Sequence, residues 1–191
     1  IRMKHYEAKK LLEEKGFTIL SVTGDGLSLI RDAFEGIPFQ MCLVHMERII
    51  VRGTTLHPKL EAGRVLLALS KSIHIIGSSQ FKEYMNLFTL KYFHFLNERS
   101  YNEITKERWY THEELRKVFV SLQRLHPFLF TYENDSLIPK TTNSLEGHFA
   151  HIRDVLNIHR GASKLLKQKI LHTILIANTI SPKDEDLNEI V

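Results

Sequence analysis

Two short apolar runs joined by one short helical stretch, followed by helical periods alone, limit most strongly what this chain can fold into. Phe17-Thr18-Ile19-Leu20-Ser21-Val22 is rich in β-branched and aromatic residues and short enough to be a buried strand. Thr23-Gly24-Asp25-Gly26 reads as a turn, and Leu27, Ile30 and Phe34 open a helix that Gly36-Ile37-Pro38 breaks. Phe39-Gln40-Met41-Cys42-Leu43-Val44 then supplies a second strand. Strand, helix, strand with short links implies parallel pairing and a right-handed crossover, so both runs belong to one sheet. From about Lys59 to Leu125 only helical periods follow: Leu66, Leu67, Leu69 and Ile73, then Phe81, Tyr84, Met85, Phe88, Tyr92 and Phe95. The expectation is an α/β chain, mostly α, with two parallel strands and a large all-α insertion.

The flanks fit that frame. Residues 2–15 read as an amphipathic helix, with Tyr6, Leu11 and Leu12 apolar, stopped by Gly16 at C′. Thr111 and Glu114 have capping-box spacing before Leu115, Val118, Phe119, Leu122 and Leu125, and His126-Pro127 ends that helix. The stripe Tyr84, Phe88, Tyr92 reads as core. A last helix runs from Ser163 to about Asn178, with Lys164, Lys167 and Lys169 on its basic face. A length of 191 residues suits one domain, or one domain with a large insertion. The first residue is Ile1, so the chain is expected to be a piece of something longer. No apolar run approaches the ~20 residues that span a bilayer, and no membrane partner is expected. Cys42 is the only cysteine, which excludes an internal disulfide and suits a reducing compartment. A net charge of +4 and a pI near 9.1 are compatible with nucleic acid without being diagnostic of it.

Several residues could carry chemistry, and each has a plain structural alternative. Asp25 stands just beyond the carboxyl end of an expected strand, where open α/β sheets gather ligands; otherwise it only shapes a Gly-Asp-Gly turn. Cys42-x-x-His45 has half of a zinc spacing, but no second cysteine and no nearby His pair completes it. A packed thiol and a helix-start histidine are the alternative there. Trp109, between Arg108 and Tyr110, is either a base-stacking ring or a packing residue. Ile138-Pro139-Lys140-Thr141-Thr142-Asn143-Ser144 is a polar loop before a helix whose apolar stripe is Leu145, Phe149, Ile152, Val155 and Leu156. Glu146 sits in its first turn, either as a metal-placing carboxylate or as the partner of an Asn143 capping box.

In this order and at these separations the pieces resemble one family over nearly the whole chain. Thr23-Gly24-Asp25-Gly26, Cys42-Leu43-Val44-His45, Trp109-Tyr110-Thr111-His112-Glu113-Glu114-Leu115, Leu129-Phe130-Thr131-Tyr132, Thr141-Thr142-Asn143-Ser144-Leu145-Glu146-Gly147 and His159-Arg160-Gly161 resemble segments of bacterial insertion-sequence transposases related to the Mutator-like elements. These enzymes use an Asp-Asp-Glu triad on an RNase H-like fold interrupted by an α-helical insertion. The resemblance implies a partial RNase H-like core at 1–45, the insertion at 46–137, core helices with the triad Glu at 138–180, and an acidic tail at 181–191. It makes Asp25 the second aspartate and Glu146 the triad glutamate. The first aspartate, on the first strand of such a fold, has no counterpart after Ile1, and three of five strands and the DNA-binding N-terminal region are missing.

What the resemblance implies is phosphoryl transfer at DNA phosphodiesters: strand cleavage and 3′-hydroxyl strand transfer by two divalent ions, magnesium or manganese, about 4 Å apart. Asp25 and Glu146 would be both catalytic and metal-holding. Asn143, His148, Arg153 and Arg160 would contact scissile-strand phosphates, and Cys42, His45 and Trp109 would shape the site or touch DNA. The partners are transposon ends, target DNA and further copies of the chain, in the bacterial cytoplasm at the nucleoid. A chain with two-thirds of the triad is expected to be inactive alone. A non-catalytic DNA-binding or assembly remnant, and an RNase H-like nuclease without strand transfer, are the alternatives. The strand at Phe17–Val22 is expected to present a bare edge through which copies associate.

Overall fold

The computed structural model describes residues 2–179, which fall into two compact units divided between Thr142 and Asn143. The acidic stretch Lys183-Asp184-Glu185-Asp186 lies outside the described residues.

In the first unit, helix α1 (Arg2–Glu14) ends as its sequence suggests. Gly16 takes φ +83°, and the N–H groups of Gly16 and Phe17 donate to Glu13 O and Leu12 O, both at 3.0 Å. That is a Schellman closure, which a residue without a Cβ adopts most readily. Strand β1 (Val22–Gly24) pairs in parallel with β2 (Phe39–Met41), Val22 opposite Phe39 and Gly24 opposite Met41. Helix α2 (Ser28–Ala33) links them, and the Tyr6 hydroxyl of α1 donates to Asp32 O of α2 at 2.8 Å. The α/β class and the parallel pair therefore stand, in a chain that is mostly helix.

Both strands are shorter than their apolar runs. Residues 17–21 are not in a strand, and Phe17 and Leu20 are 61% and 58% exposed. Thr23 and Gly24, expected in a turn, belong to β1. At the other run, helix α3 (Leu43–Thr54) starts two residues after β2 ends. Leu43, Met46, Ile50 and Thr54 are its buried stripe, at helical spacing.

The second edge of β2 is closed by side chains. In a parallel ladder alternate residues face opposite neighbours, so Pro38 O, which accepts from Val22 N–H, faces β1, while the Phe39 and Met41 carbonyls face away. Thr131 Oγ1 donates to Phe39 O at 2.7 Å, and Gln40 Nε2 donates to Met41 O at 2.6 Å and Leu129 O at 2.9 Å. Gln40 Oε1 accepts Tyr132 N–H at 3.0 Å. Gln40 is wholly buried, and these bonds tie the two 3-10 turns (His126–Phe128 and Thr131–Glu133) along the strand.

Helices α4 (Glu61–Ser72), α5 (Ser78–Asn97) and α6 (Glu113–Leu125) complete the unit. One apolar cluster runs from Phe39 and Met41 through Met46, Leu66, Phe81, Phe88 and Leu122 to Phe130. The core is thus continuous across residues 45 and 46, where the sequence placed a boundary. Helices α3 and α6 pack so closely that a Cβ at Gly53 would overlap Val118 Cγ2. The buried face of α5 is Phe81, Met85, Phe88, Tyr92 and Leu96; Tyr84, expected in the core, is 40% exposed. Helix α6 begins at Glu113 after His112, with no side-chain cap bond, so Thr111 stands too early to cap it.

The all-α insertion needs one correction. An antiparallel hairpin, β3 (Arg99–Tyr101) and β4 (Arg108–Tyr110), joins α5 to α6. Its turn is held by Asn102 Oδ1, which accepts Ile104 N–H at 2.9 Å and Thr105 N–H at 3.2 Å, while Lys106 takes φ +61°. Three-residue strands are too short to show an alternation, so no period marks them.

The second unit pairs α7 (Asn143–Ile158) with α8 (Lys164–Thr179). Ser163 Oγ accepts Leu166 N–H at 3.3 Å and caps α8. Asn143 is already the first residue of α7, so it is not the residue before the helix that a capping box requires. Of the apolar stripe in α7, Ile152 is buried, whereas Leu145 and Phe149 are about half exposed.

Candidate functional site at the strand ends

Parallel pairing brings the carboxyl ends of β1 and β2 together, and Cys42 N–H donates to Gly24 O at 2.7 Å. Asp25 follows directly after β1. It is exposed, and its Oδ1 accepts Leu27 N–H at 3.2 Å, which sets the turn into α2. The next residue must be glycine: Gly26 has φ +87°, and a Cβ there would lie 2.8 Å from Met41 Sδ and 3.1 Å from Leu125 Cδ2. The functional and the turn-forming readings of Asp25 thus apply to one and the same geometry.

A loop is lashed across these ends by bonds from three neighbouring residues. Thr23 Oγ1 donates to Pro139 O at 3.0 Å, and Leu43 N–H donates to Lys140 O at 3.1 Å. Leu43 N–H is one of the orphan donors at the start of α3, where no side chain caps the helix. Thr142 donates to Cys42 Sγ from both its N–H and its Oγ1, each at 3.4 Å. The Lys140 ammonium lies 4.4 Å from the centre of the Tyr132 ring.

Cys42 is fully buried. Burial pushes its thiol up, but hydrogen bonds from Thr142 and His45, side chain and backbone, outweigh it and bring the thiol below its ordinary value. A group depressed in the folded state adds stability that is complete above its unfolded pKa and lost as pH falls through the folded one. Unfolding in urea over a pH series is therefore expected to show the native chain gaining on Cys42→Ala as pH rises toward the ordinary thiol value. Parallel curves at every pH would show that the thiol has the same pKa folded and unfolded.

The remaining expected residues lie elsewhere. Trp109 is in β4 and is 45% exposed. Asn143, Glu146, His148 and Arg153 are in α7, in the second unit. By helical spacing Asn143, Glu146 and Arg153 share one face of α7, and His148 lies on another, one turn before Ile152. Arg160 lies beyond α7, and its carbonyl accepts Lys167 Nζ at 2.9 Å. His45, half-buried, is in the first turn of α3.

The sequence reading missed Thr23, Gln40 and Thr142. A signal existed for Gln40 alone: an amide inside the apolar run Phe39-Gln40-Met41-Cys42 needs partners if it is buried. Asp25 offers hard oxygen donors of the kind magnesium takes, with water completing the shell. Among the described residues no group of three or more His, Cys, Asp or Glu is gathered closely enough to hold a metal by itself. Among them, too, no helix is long and apolar enough to cross a membrane. No protein-family profile, curated protein or solved structure matches the chain.

Proposed function

We propose that this chain carries part of the catalytic centre of an RNase H-like DNA transposase, with Asp25 and Glu146 as two of its three carboxylates. One observation supports the reading above the rest. The loop 139–142, which leads in sequence to Asn143 and Glu146, is fastened to the strand ends beside Asp25 through Thr23, Cys42 and Leu43.

In this reading Asp25 and Glu146 hold divalent metal, magnesium or manganese, which when bound polarises a DNA phosphodiester. The chain's own residues then have distinct tasks. Leu27 N–H fixes one Asp25 oxygen and leaves the other free to coordinate. Cys42 holds Thr142 and shapes the approach rather than reacting. Asn143 and Arg153, on the Glu146 face of α7, bear on phosphates, with His148 and Arg160 as lesser contacts. Residues 17–21 form no strand, so the bare strand edge expected there is absent, and exposed Phe17 and Leu20 are instead an apolar surface for a second copy.

Iron-directed cleavage tests the metal assignment in this chain as it stands. With ferrous ion in place of magnesium, plus ascorbate and peroxide, backbone cuts are expected next to Asp25 and Glu146. Asp25→Asn or Glu146→Gln should remove both sets. Cuts elsewhere, or none that magnesium competes away, would sink the assignment. Joining of a 3′-hydroxyl end to target DNA separates a transposase from a nuclease that only hydrolyses.

A further inference from the structure

Helix α5 has a second apolar side. One face is buried in the core, while on the opposite side Leu87 and Leu90 are 56% and 81% exposed. The two leucines are the centre of a stripe whose spacing alternates between three and four residues: Gln80, Glu83, Leu87, Leu90, His94 and Asn97. That alternation is the seam on which two helices interlock. The stripe runs nearly the whole length of a 20-residue helix, roughly 30 Å. Gln80, Glu83 and His94 are exposed, and Asn97 is half-buried.

The chemistry of this stripe is complementary to its own reverse. When two such helices run antiparallel about a two-fold axis at the middle of the seam, Leu87 of one faces Leu90 of the other. Glu83 then faces His94, and Gln80 faces Asn97, each pair formed twice. An imidazole N–H donates to the carboxylate, the end amides bond to one another, and leucine fills the centre. Parallel pairing sets Glu83 on Glu83 and His94 on His94, which like charge disfavours. Among the described residues neither Glu83 nor His94 has an ion-pair partner, so both are open to a second molecule. Val65 and Ala68 of α4, with Tyr84 and Leu87, border a cavity of about 370 Å³ beside the seam. The apolar surface on offer is therefore wider than two leucines.

We propose that α5 is a self-association surface, on which a second copy of this chain lays its own α5 antiparallel, with Leu87 on Leu90 at the centre and Glu83 on His94 to either side. The contact needs no metal, no DNA and no chemistry at Asp25, and it is separate from the apolar surface at Phe17 and Leu20. A helix from another protein could match the leucines. A second copy also supplies imidazole and carboxylate in reverse order, by symmetry alone.

Sedimentation velocity over a range of concentrations should show a monomer–dimer equilibrium. Leu90→Arg should raise its dissociation constant roughly a hundredfold or more, because symmetry removes the leucine contact twice. Glu83→Lys and His94→Glu should each weaken the dimer, and the two together should restore it, since opposite charges face each other again. Chains with Gln80→Cys mixed with chains carrying Asn97→Cys should form an intermolecular disulfide under mild oxidation. Gln80→Cys alone should not, because antiparallel pairing holds the two copies of that residue about 25 Å apart. Cys42 is buried, so the crosslink reports on the introduced thiols. Circular dichroism of each variant confirms that it is folded. A monomer at every concentration, a dimer unaffected by Leu90→Arg, no rescue in the double variant, or a disulfide in Gln80→Cys alone overturns the proposal. A dimer lost only in Phe17→Ser with Leu20→Ser overturns it too, and moves the contact to the segment before β1.

Discussion

Replacing Gln40 with leucine is expected to lower the unfolding free energy by about 3–5 kcal/mol, read from the midpoint of urea denaturation. The side chain is fully buried and makes three bonds, to Met41 O, Leu129 O and Tyr132 N–H. Leucine matches it in volume and keeps the apolar packing, so the loss comes from leaving those backbone groups without partners. Each such group costs roughly 1–3 kcal/mol, and partial relaxation keeps the total below the sum. A small domain has only about 5–15 kcal/mol in hand. The 3-10 turns at 126–133 should therefore loosen first, visible as faster amide exchange at Tyr132 and Leu129. An unchanged midpoint would mean that the open edge of β2 does not depend on this amide.

Gly26→Ala is expected to cost about 2–5 kcal/mol, from two sources. A left-handed backbone costs a residue with a Cβ about 1–2 kcal/mol, and crowding in a filled core about 1–3 kcal/mol. The φ of +87° supplies the first, and Met41 Sδ at 2.8 Å with Leu125 Cδ2 at 3.1 Å the second. Because Gly26 follows Asp25, the damage should reach the carboxylate as well as the fold. Iron-directed cuts beside Asp25 should fade in Gly26→Ala under conditions where circular dichroism still shows a folded chain. Full stability would show that Met41 and Leu125 move aside freely. Retained cuts with lost stability would separate the turn from the metal assignment.

Neither position announces itself in the sequence to the same degree. Gly24-Asp25-Gly26 looks like a turn, and the turn after β1 is real; what the sequence lacked was the contact that makes Gly26 irreplaceable. Leu125 is distant in sequence and reaches Gly26 only because α6 packs into the same core as β2. Gln40 looked like one polar residue in an apolar strand, and its partners near residues 129–132 come from the far end of the helical block.

Local chemistry, then, was enough to determine the elements whose causes are local. The Gly16 stop of α1, the Ser163 start of α8, the parallel order of the two strands and the long buried stripes of α5 and α6 all follow from spacing and caps. Tertiary structure decided how far each run extends and what shares a core. Phe17–Ser21 is β-prone yet, among the described residues, has no strand beside it, and Leu43 joins a helix because the buried stripe continues to Met46 and Ile50. The β3–β4 hairpin rests on a turn held by Asn102, too short to leave a period. The fastening of loop 139–142 to Thr23, Cys42 and Leu43 joins residues about a hundred positions apart. Periodicity reports only on neighbours within a few turns, so contacts that depend on chain reversal become visible only once the chain is folded.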